Sequence, residues 1–144
     1  SQKLRGYETP FYLYDTALLR QTLESVVYES KKNGYKVHYA IKANYDDHLL
    51  AIIRETLGID CASGNELRKA IEAGFDPKGI VYAGVGKRDK ELRYAIEQDI
   101  LAQLESIEEL ELVDALAGEA GRVADVALRI NPTLTPRPTT ASIR

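Results

Sequence analysis

The chain has 144 residues, enough for one domain with a substantial hydrophobic core and too few for two comfortable ones. Its 44% apolar and 28% charged residues are typical of a globular protein, and a net charge of −3 offers no basic surface for nucleic acid. No apolar run approaches the roughly 20 residues that span a bilayer, and one cysteine cannot form an internal disulfide, so we expect a cytoplasmic protein without membrane contact.

The N-terminal region predicts one strand and one helix. Aromatic residues follow Pro10, and they favour a short strand from Phe11 to Asp15. Asp15 is also a suitable N-cap for a helix whose leucines and valines recur at helical spacing. Gly34 marks the expected end of that helix.

The next apolar run, residues 37–44, predicts a buried strand that contains a single lysine, Lys42. Side chains alternate along a strand, so His38, Ala40 and Lys42 share one face. An ammonium is costly to bury unless something uses it, and a desolvated lysine amine is a good nucleophile toward an aldehyde. The alternative is a lysine whose head group simply reaches water.

Strands and helices then alternate at a nearly regular spacing. The expected strands lie at residues 59–62, 80–84, 100–104 and 123–131. A helix is expected from Asp47 to a stop at Gly58, and two further helices begin at the capping-box patterns Ser63–Glu66 and Ser106–Glu109. Another helix is expected around Leu92.

This alternation predicts an α/β protein with about five parallel strands and intervening helices. An open doubly wound sheet and part of a (β/α)8 barrel both fit, and a whole barrel needs roughly 250 residues. We expect residues 1–36 to hold the first strand and helix, residues 37–132 to form the repeating domain, and residues 133–144 to be a loop or frayed end.

Polar residues cluster where the predicted strands end. In both architectures the active site lies at the carboxyl ends of the strands. The alternation places Lys42, Asp60 and Arg129 on one common interior, with the bulky aliphatic residues of each strand packed on the helices. A lysine, a carboxylate and an arginine suit an anionic, carbonyl-bearing ligand. The alternative is an Asp60–Arg129 ion pair without a ligand.

Other motifs are less specific. The segment Gly84–Lys87 lacks the third glycine of a dinucleotide fingerprint and the ending of a P-loop, so it predicts a tight turn. The run from Lys87 to Arg93 is typical of a solvated helix start. His38 and His48 have no metal-ligand spacing, and no metal site is expected. Cys61 shares a face with aliphatic residues and is expected to be inert packing.

Six blocks of the sequence carry a more specific signal: Tyr39–Asn44, Asp60–Leu67, Ala73–Phe75, Val81–Lys87, Glu105–Ser106 and Arg129–Pro132. Together these blocks resemble the fold-type III pyridoxal-phosphate decarboxylases. The resemblance is collinear from about Thr9 to Pro132. Ornithine decarboxylases usually carry Lys-Cys-Asn in the first block, so Lys42-Ala43-Asn44 favours the branch that acts on diaminopimelate.

The resemblance implies a partial TIM barrel of the alanine-racemase-like type, a homodimer, and an amino-acid substrate that loses CO2. By the same resemblance Lys42 would be linked covalently to pyridoxal 5'-phosphate, Asp60 and Arg129 would line the cofactor ring, and Ala40 would lie beside it. The implied reaction for this branch converts diaminopimelate to lysine, and ornithine or arginine are alternative substrates within the family.

The family's ring-stacking histidine, glycine-rich phosphate loop and pyridine-facing glutamate are absent from the 144 residues. We therefore expect the chain to be the N-terminal part of the enzyme and inactive alone. The alternative is a half-barrel without catalysis that self-associates, since an open parallel sheet exposes both edges.

Overall fold

The computed structural model describes residues 6–130. Five strands form one sheet in the order β1-β2-β3-β4-β5, and every neighbouring pair is parallel. The strands are β1 (His38–Ala40), β2 (Gly58–Cys61), β3 (Ile80–Tyr82), β4 (Leu101–Leu104) and β5 (Val126–Leu128). The helices are α1 (Thr16–Asn33), α2 (Asp47–Ile53), α3 (Gly64–Glu72), α4 (Asp89–Glu97) and α5 (Ile107–Ala120). The predicted parallel α/β architecture is confirmed.

Local sequence signals set the helix boundaries. The Asp15 carboxylate accepts hydrogen bonds from the first-turn amides of α1 at 3.0 Å, and Gly34 ends this helix with a positive φ of 72°. Ser63 and Ser106 cap α3 and α5 in the same way through their hydroxyl oxygens. Each cap needs only residues within one turn, which is why the sequence alone predicts it.

The hydrophobic core lies between the sheet and its helices. One face of β2, β3 and β4 supplies six side chains that are at most 3% exposed: Ile59, Cys61, Ile80, Tyr82, Ala102 and Leu104. The apolar faces of α3, α4 and α5 cover them. The other face of the sheet is open, and it carries the polar residues discussed below. Among the helices of residues 6–130, none is long and apolar enough to cross a membrane.

Three boundary predictions are corrected by the structure. The segment from Phe11 to Asp15 is not a strand, because no backbone segment within residues 6–130 pairs with it. Helix α2 ends at Ile53, five residues before the predicted stop at Gly58. Gly58 instead begins β2, where its amide donates to the Val37 carbonyl oxygen at 3.1 Å and a Cβ would collide with His38.

The packing predicted for the last strand is also wrong. Val126 and Leu128 pair with Ala102 and Leu104, so they lie on the helix side of the sheet as expected. Their side chains are nevertheless 37% and 58% exposed, so this side of β5 is only partly covered in the described part of the chain. Asn131 and Pro132, and the predicted tail 133–144, lie outside the described residues.

Candidate active site

Lys42 lies in a single 3-10 turn, Ile41–Ala43, that directly follows β1. The strand is therefore shorter than predicted, and the lysine lies just beyond its carboxyl end, as expected. Ile41 anchors the turn in the core with 1% of its side chain exposed, whereas Lys42 is exposed. Within residues 6–130 no carboxylate lies within 4.0 Å of the Lys42 amine, so no ion pair there occupies it.

Asp60 lies on the neighbouring strand, directly beside Ala40 in the β1–β2 register. Both point to the open face, as the alternation predicted. An open cavity of about 540 Å³ covers this face. Its lining consists of His38, Asp60, Val81, Ala83, Leu101 and Gln103. One carboxylate, one imidazole and one amide therefore face a cavity whose other three lining side chains are aliphatic.

Electrostatics couple the residues around Asp60. Burial raises the pKa of the Asp60 carboxyl, while the positive charge of Lys42 and then that of His38 oppose the rise. Burial also lowers the pKa of the His38 imidazole, with Asp60 opposing. Lys42 thus acts on Asp60 through space although the two groups form no direct ion pair. The structure brings Lys42, Asp60 and Ala40 together, as predicted.

Arg129 lies at the far end of the sheet from Lys42. It follows β5, at the opposite edge of the sheet from β1, so four inter-strand spacings of about 4.8 Å separate it from Lys42. Its guanidinium donates to Glu105 Oε1 at 3.1 Å, and its amide donates to the Leu104 carbonyl oxygen at 2.8 Å. The alternative Asp60–Arg129 ion pair is not formed, because Glu105 on the adjacent strand end is nearer.

Lys87 is a residue whose environment the sequence analysis missed. The chain bends at Val85 and Gly86 after β3, and the Lys87 side chain is fully buried rather than solvated. Its ammonium donates to the Gly84 carbonyl oxygen at 2.6 Å and to both carboxylate oxygens of Glu109 at 3.0 and 3.1 Å. Glu109 also accepts the Glu105 amide at 2.9 Å, so this pair supports the residue that holds Arg129.

A second buried contact joins β3 to the start of α4. Glu91, only 8% exposed, accepts the Tyr82 hydroxyl at 3.0 Å and the Arg88 amide at 3.1 Å. The Arg88 amide is the main cause of a lowered pKa at Glu91, and burial raises the pKa of Tyr82. Glu91 also fills the space beside Gly64, where a Cβ would approach its Cγ to 2.7 Å. The run from Lys87 to Arg93 is therefore not wholly solvated, contrary to prediction.

Asn44, two residues after Lys42, makes three hydrogen bonds. Its carbonyl oxygen accepts the Tyr39 hydroxyl at 3.0 Å, and its side-chain amide donates to the Tyr14 hydroxyl at 2.9 Å. Its side-chain oxygen accepts the Asp46 amide at 2.9 Å. These contacts tie the Lys42 turn to β1, to the segment before α1 and to the start of α2.

Cys61 is not a candidate nucleophile. The side chain is completely buried on the helix side of β2, as predicted. Desolvation raises the pKa of its thiol to about 12, so the thiolate is negligible at neutral pH. Within residues 6–130 no group of three or more metal-ligating side chains is present.

Comparisons with known proteins agree with this geometry. The family model described as "Pyridoxal-dependent decarboxylase, pyridoxal binding domain" matches residues 19–140. The chain is 49% identical over 133 residues to diaminopimelate decarboxylase of Bacteroides thetaiotaomicron, covering 90% of this chain and 34% of the relative. It is 38% identical over 133 residues to the Aquifex aeolicus enzyme of the same name, covering 91% and 31%.

Solved structures show the same likeness. Diaminopimelate decarboxylase from M. jannaschii in complex with L-lysine superposes with a TM-score of 0.81 at 29% identity, covering 94% of this chain and 33% of that protein. The chain therefore spans about a third of the length of the relatives that it matches. The five-stranded sheet lies within the third of the relatives' fold that this chain matches.

Proposed function

The chain belongs to the pyridoxal-dependent decarboxylase family, and from this premise we propose that it supplies the attachment lysine and part of the cofactor pocket of a diaminopimelate decarboxylase. The observation that carries the proposal is the position of Lys42. Its amine is exposed and unpaired within the described residues, at the carboxyl end of a barrel-type strand, with its charge acting on a partly buried Asp60. An accessible amine in this position can bond to the aldehyde carbon of a cofactor.

The residues present fit the aldehyde and the ring of pyridoxal 5'-phosphate. Lys42 offers an amine that can bond to an aldehyde carbon, and Asp60 offers a carboxylate beside it. Ala40 and Ala83 are small, so the adjoining sheet face leaves room for a flat ring. When bound, the cofactor supplies an aldehyde for the substrate amine and a ring that takes up the electron pair released with CO2.

The protein's own side chains then hold and orient the cofactor. We propose that Lys42 provides the covalent attachment, that Asp60 balances positive charge at the ring, and that Ala40 keeps the ring face accessible. Arg129 lines the cofactor ring from the end of β5, where its guanidinium donates to Glu105 Oε1 at 3.1 Å. The net reaction removes one carboxylate of diaminopimelate as CO2, and a proton takes its place on the carbon to give lysine. Ornithine or arginine are the alternative substrates.

Attachment is tested by incubating the 144-residue chain with pyridoxal 5'-phosphate, reducing with borohydride and mapping the labelled peptides by mass. We expect the label on the peptide containing Lys42 and its loss in Lys42→Ala. Lys31 and Lys32, both exposed on α1, serve as internal controls for nonspecific labelling. Label spread evenly over the surface lysines, or unchanged in Lys42→Ala, would refute the assignment.

Activity is tested in a chimera in which this chain replaces the matching third of the Bacteroides thetaiotaomicron relative. We expect the chimera to release CO2 from diaminopimelate, and Lys42→Ala to abolish that release. Parallel assays with ornithine and arginine decide the substrate. Faster turnover of either one would reject the diaminopimelate assignment while leaving the decarboxylase assignment intact.

We also propose a homodimer in the cytoplasm. Exposed Val126 and Leu128, together with the unpaired outer edges of β1 and β5 within the described sheet, favour association. A purely structural half-barrel that self-associates is the alternative function. Native mass measurement combined with the labelling experiment separates the two, since the structural alternative predicts an oligomer without selective labelling of Lys42.

A further inference from the structure

We infer that Tyr39, Asn44 and Tyr14 form a positioning bracket that holds the turn carrying Lys42 in place at the end of β1. This inference rests on the proposed function, because it concerns the attachment lysine. Neither the three residues nor Lys42 are among the side chains that line the cavity, so the bracket acts through the position of the Lys42 turn. None of them was a candidate site residue on the sequence alone.

The Lys42 turn is held differently at its two ends. On its N-terminal side the turn is fixed by β1 and by the buried Ile41. On its C-terminal side the chain leaves in an extended conformation, with φ −167° and ψ 130° at Asn44, before α2 begins. A three-residue turn has a single hydrogen-bonded repeat, so its orientation depends on what holds the residue that follows.

Asn44 is hydrogen-bonded by residues from two other parts of the chain. The Tyr39 hydroxyl bonds its backbone oxygen from β1, and the Tyr14 hydroxyl accepts its side-chain amide from the segment before α1. Burial raises the pKa of Tyr39, so its hydroxyl remains a proton donor at neutral pH. Asn44 is thus fixed from two separate parts of the chain, in addition to its local bond with the Asp46 amide.

The charge of Lys42 connects the bracket to Asp60. The charged or titratable groups that act on Asp60 are Lys42, His38 and Glu66, and the positive charge of Lys42 has the largest influence of the three. We expect a loosened bracket to displace the Lys42 turn, which weakens the effect of the lysine charge on Asp60. The pKa of Asp60 then rises, and the Lys42 amine loses its fixed position.

The experiment uses the full 144-residue chain and the variants Tyr39→Phe and Asn44→Ala, each of which deletes bonding groups without adding bulk. Tyr35→Phe is the matched control, because the Tyr35 hydroxyl makes no hydrogen bond within residues 6–130 and its ring is 53% exposed. The first measurement is the Asp60 pKa by NMR titration, with Lys42→Ala as the reference for complete loss of the lysine charge. The second is the rate of pyridoxal 5'-phosphate labelling at Lys42.

We expect both bracket variants to raise the Asp60 pKa toward the Lys42→Ala value. Labelling of Lys42 should slow about fivefold in Tyr39→Phe, which loses one hydrogen bond, and by more in Asn44→Ala, which loses two. The control should change neither quantity. An Asp60 pKa equal to that of the wild type in both variants overturns the inference, whatever their stability or labelling rate. If the wild-type chain shows no selective labelling, the proposed function fails and the Asp60 pKa alone decides the inference.

Discussion

Replacement of Lys87 by methionine tests whether the buried ion pair beneath the candidate site stabilises the fold. Methionine keeps most of the side-chain volume and removes the ammonium. Three hydrogen bonds disappear: one to the Gly84 carbonyl oxygen and two to the Glu109 carboxylate. The favourable position of the ammonium 5.8 Å from the centre of the Tyr82 ring is lost as well.

The expected loss of unfolding free energy depends on how the Glu109 carboxylate is solvated after the substitution. Within the described residues the Glu109 carboxylate, 16% exposed, keeps one hydrogen-bond donor, the Glu105 amide at 2.9 Å, and is otherwise left as a poorly solvated negative charge. Removing one partner of a buried pair typically costs about 3–5 kcal/mol. Because Glu109 retains an amide donor and some contact with water, we expect about 3 kcal/mol, the lower end of that range.

The assay is urea unfolding at pH 7 followed by circular dichroism, with the free energy of unfolding extrapolated to zero urea. The exposed pair Arg93–Glu119 supplies the control, since its atoms lie 2.7 Å apart but its side chains are 46% and 61% exposed. Arg93→Met should cost less than about 1 kcal/mol. A Lys87→Met loss below about 1 kcal/mol, or one equal to that of Arg93→Met, would refute the reasoning.

Two further predictions concern the sheet beside Lys87. Burial raises the folded-state pKa of Asp60, so its ionisation weakens the fold at pH 7, and Asp60→Asn should increase the free energy of unfolding there. That gain should shrink as the pH falls through the folded and unfolded pKa values, and a gain that grows on acidification would contradict the sign. Gly84→Ala should cost about 1–3 kcal/mol because its Cβ would lie 2.5 Å from the Ala62 carbonyl oxygen. Gly86→Ala, with nothing within 4 Å, should change stability by less than about 0.5 kcal/mol, and equal losses for the two alanine variants would contradict the steric account.

The buried ion pair also bears on the candidate site. Lys87 and Glu109 are 22 residues apart, and Glu105 and Arg129 are 24 apart, yet the two pairs meet through the Glu105 amide. The rim between β3 and β5 is therefore held by long-range polar contacts rather than by a single loop. Variants of Lys87 should consequently be compared with the wild type at equal fractions of folded protein before any change at Arg129 is interpreted.

The sequence by itself determined the features that depend on near neighbours. The caps Asp15, Ser63 and Ser106 bond amides two or three residues away, so their signals are complete within one turn. The alternation along β2 likewise separated Asp60 from Ile59 and Cys61, because adjacent side chains must point to opposite faces. Regular repetition of strand and helix was enough to predict a parallel sheet.

Only the tertiary structure decided which distant groups meet. Arg129 bonds Glu105 instead of joining Asp60, because the strand order places two strands between β2 and β5. Lys87 is buried because α5 brings Glu109 to it, and no local pattern records that contact. The segment Phe11–Asp15 has strand-like residues, but a strand also requires a partner for its backbone groups. Partners far apart in sequence are chosen by packing, so composition and periodicity cannot specify them.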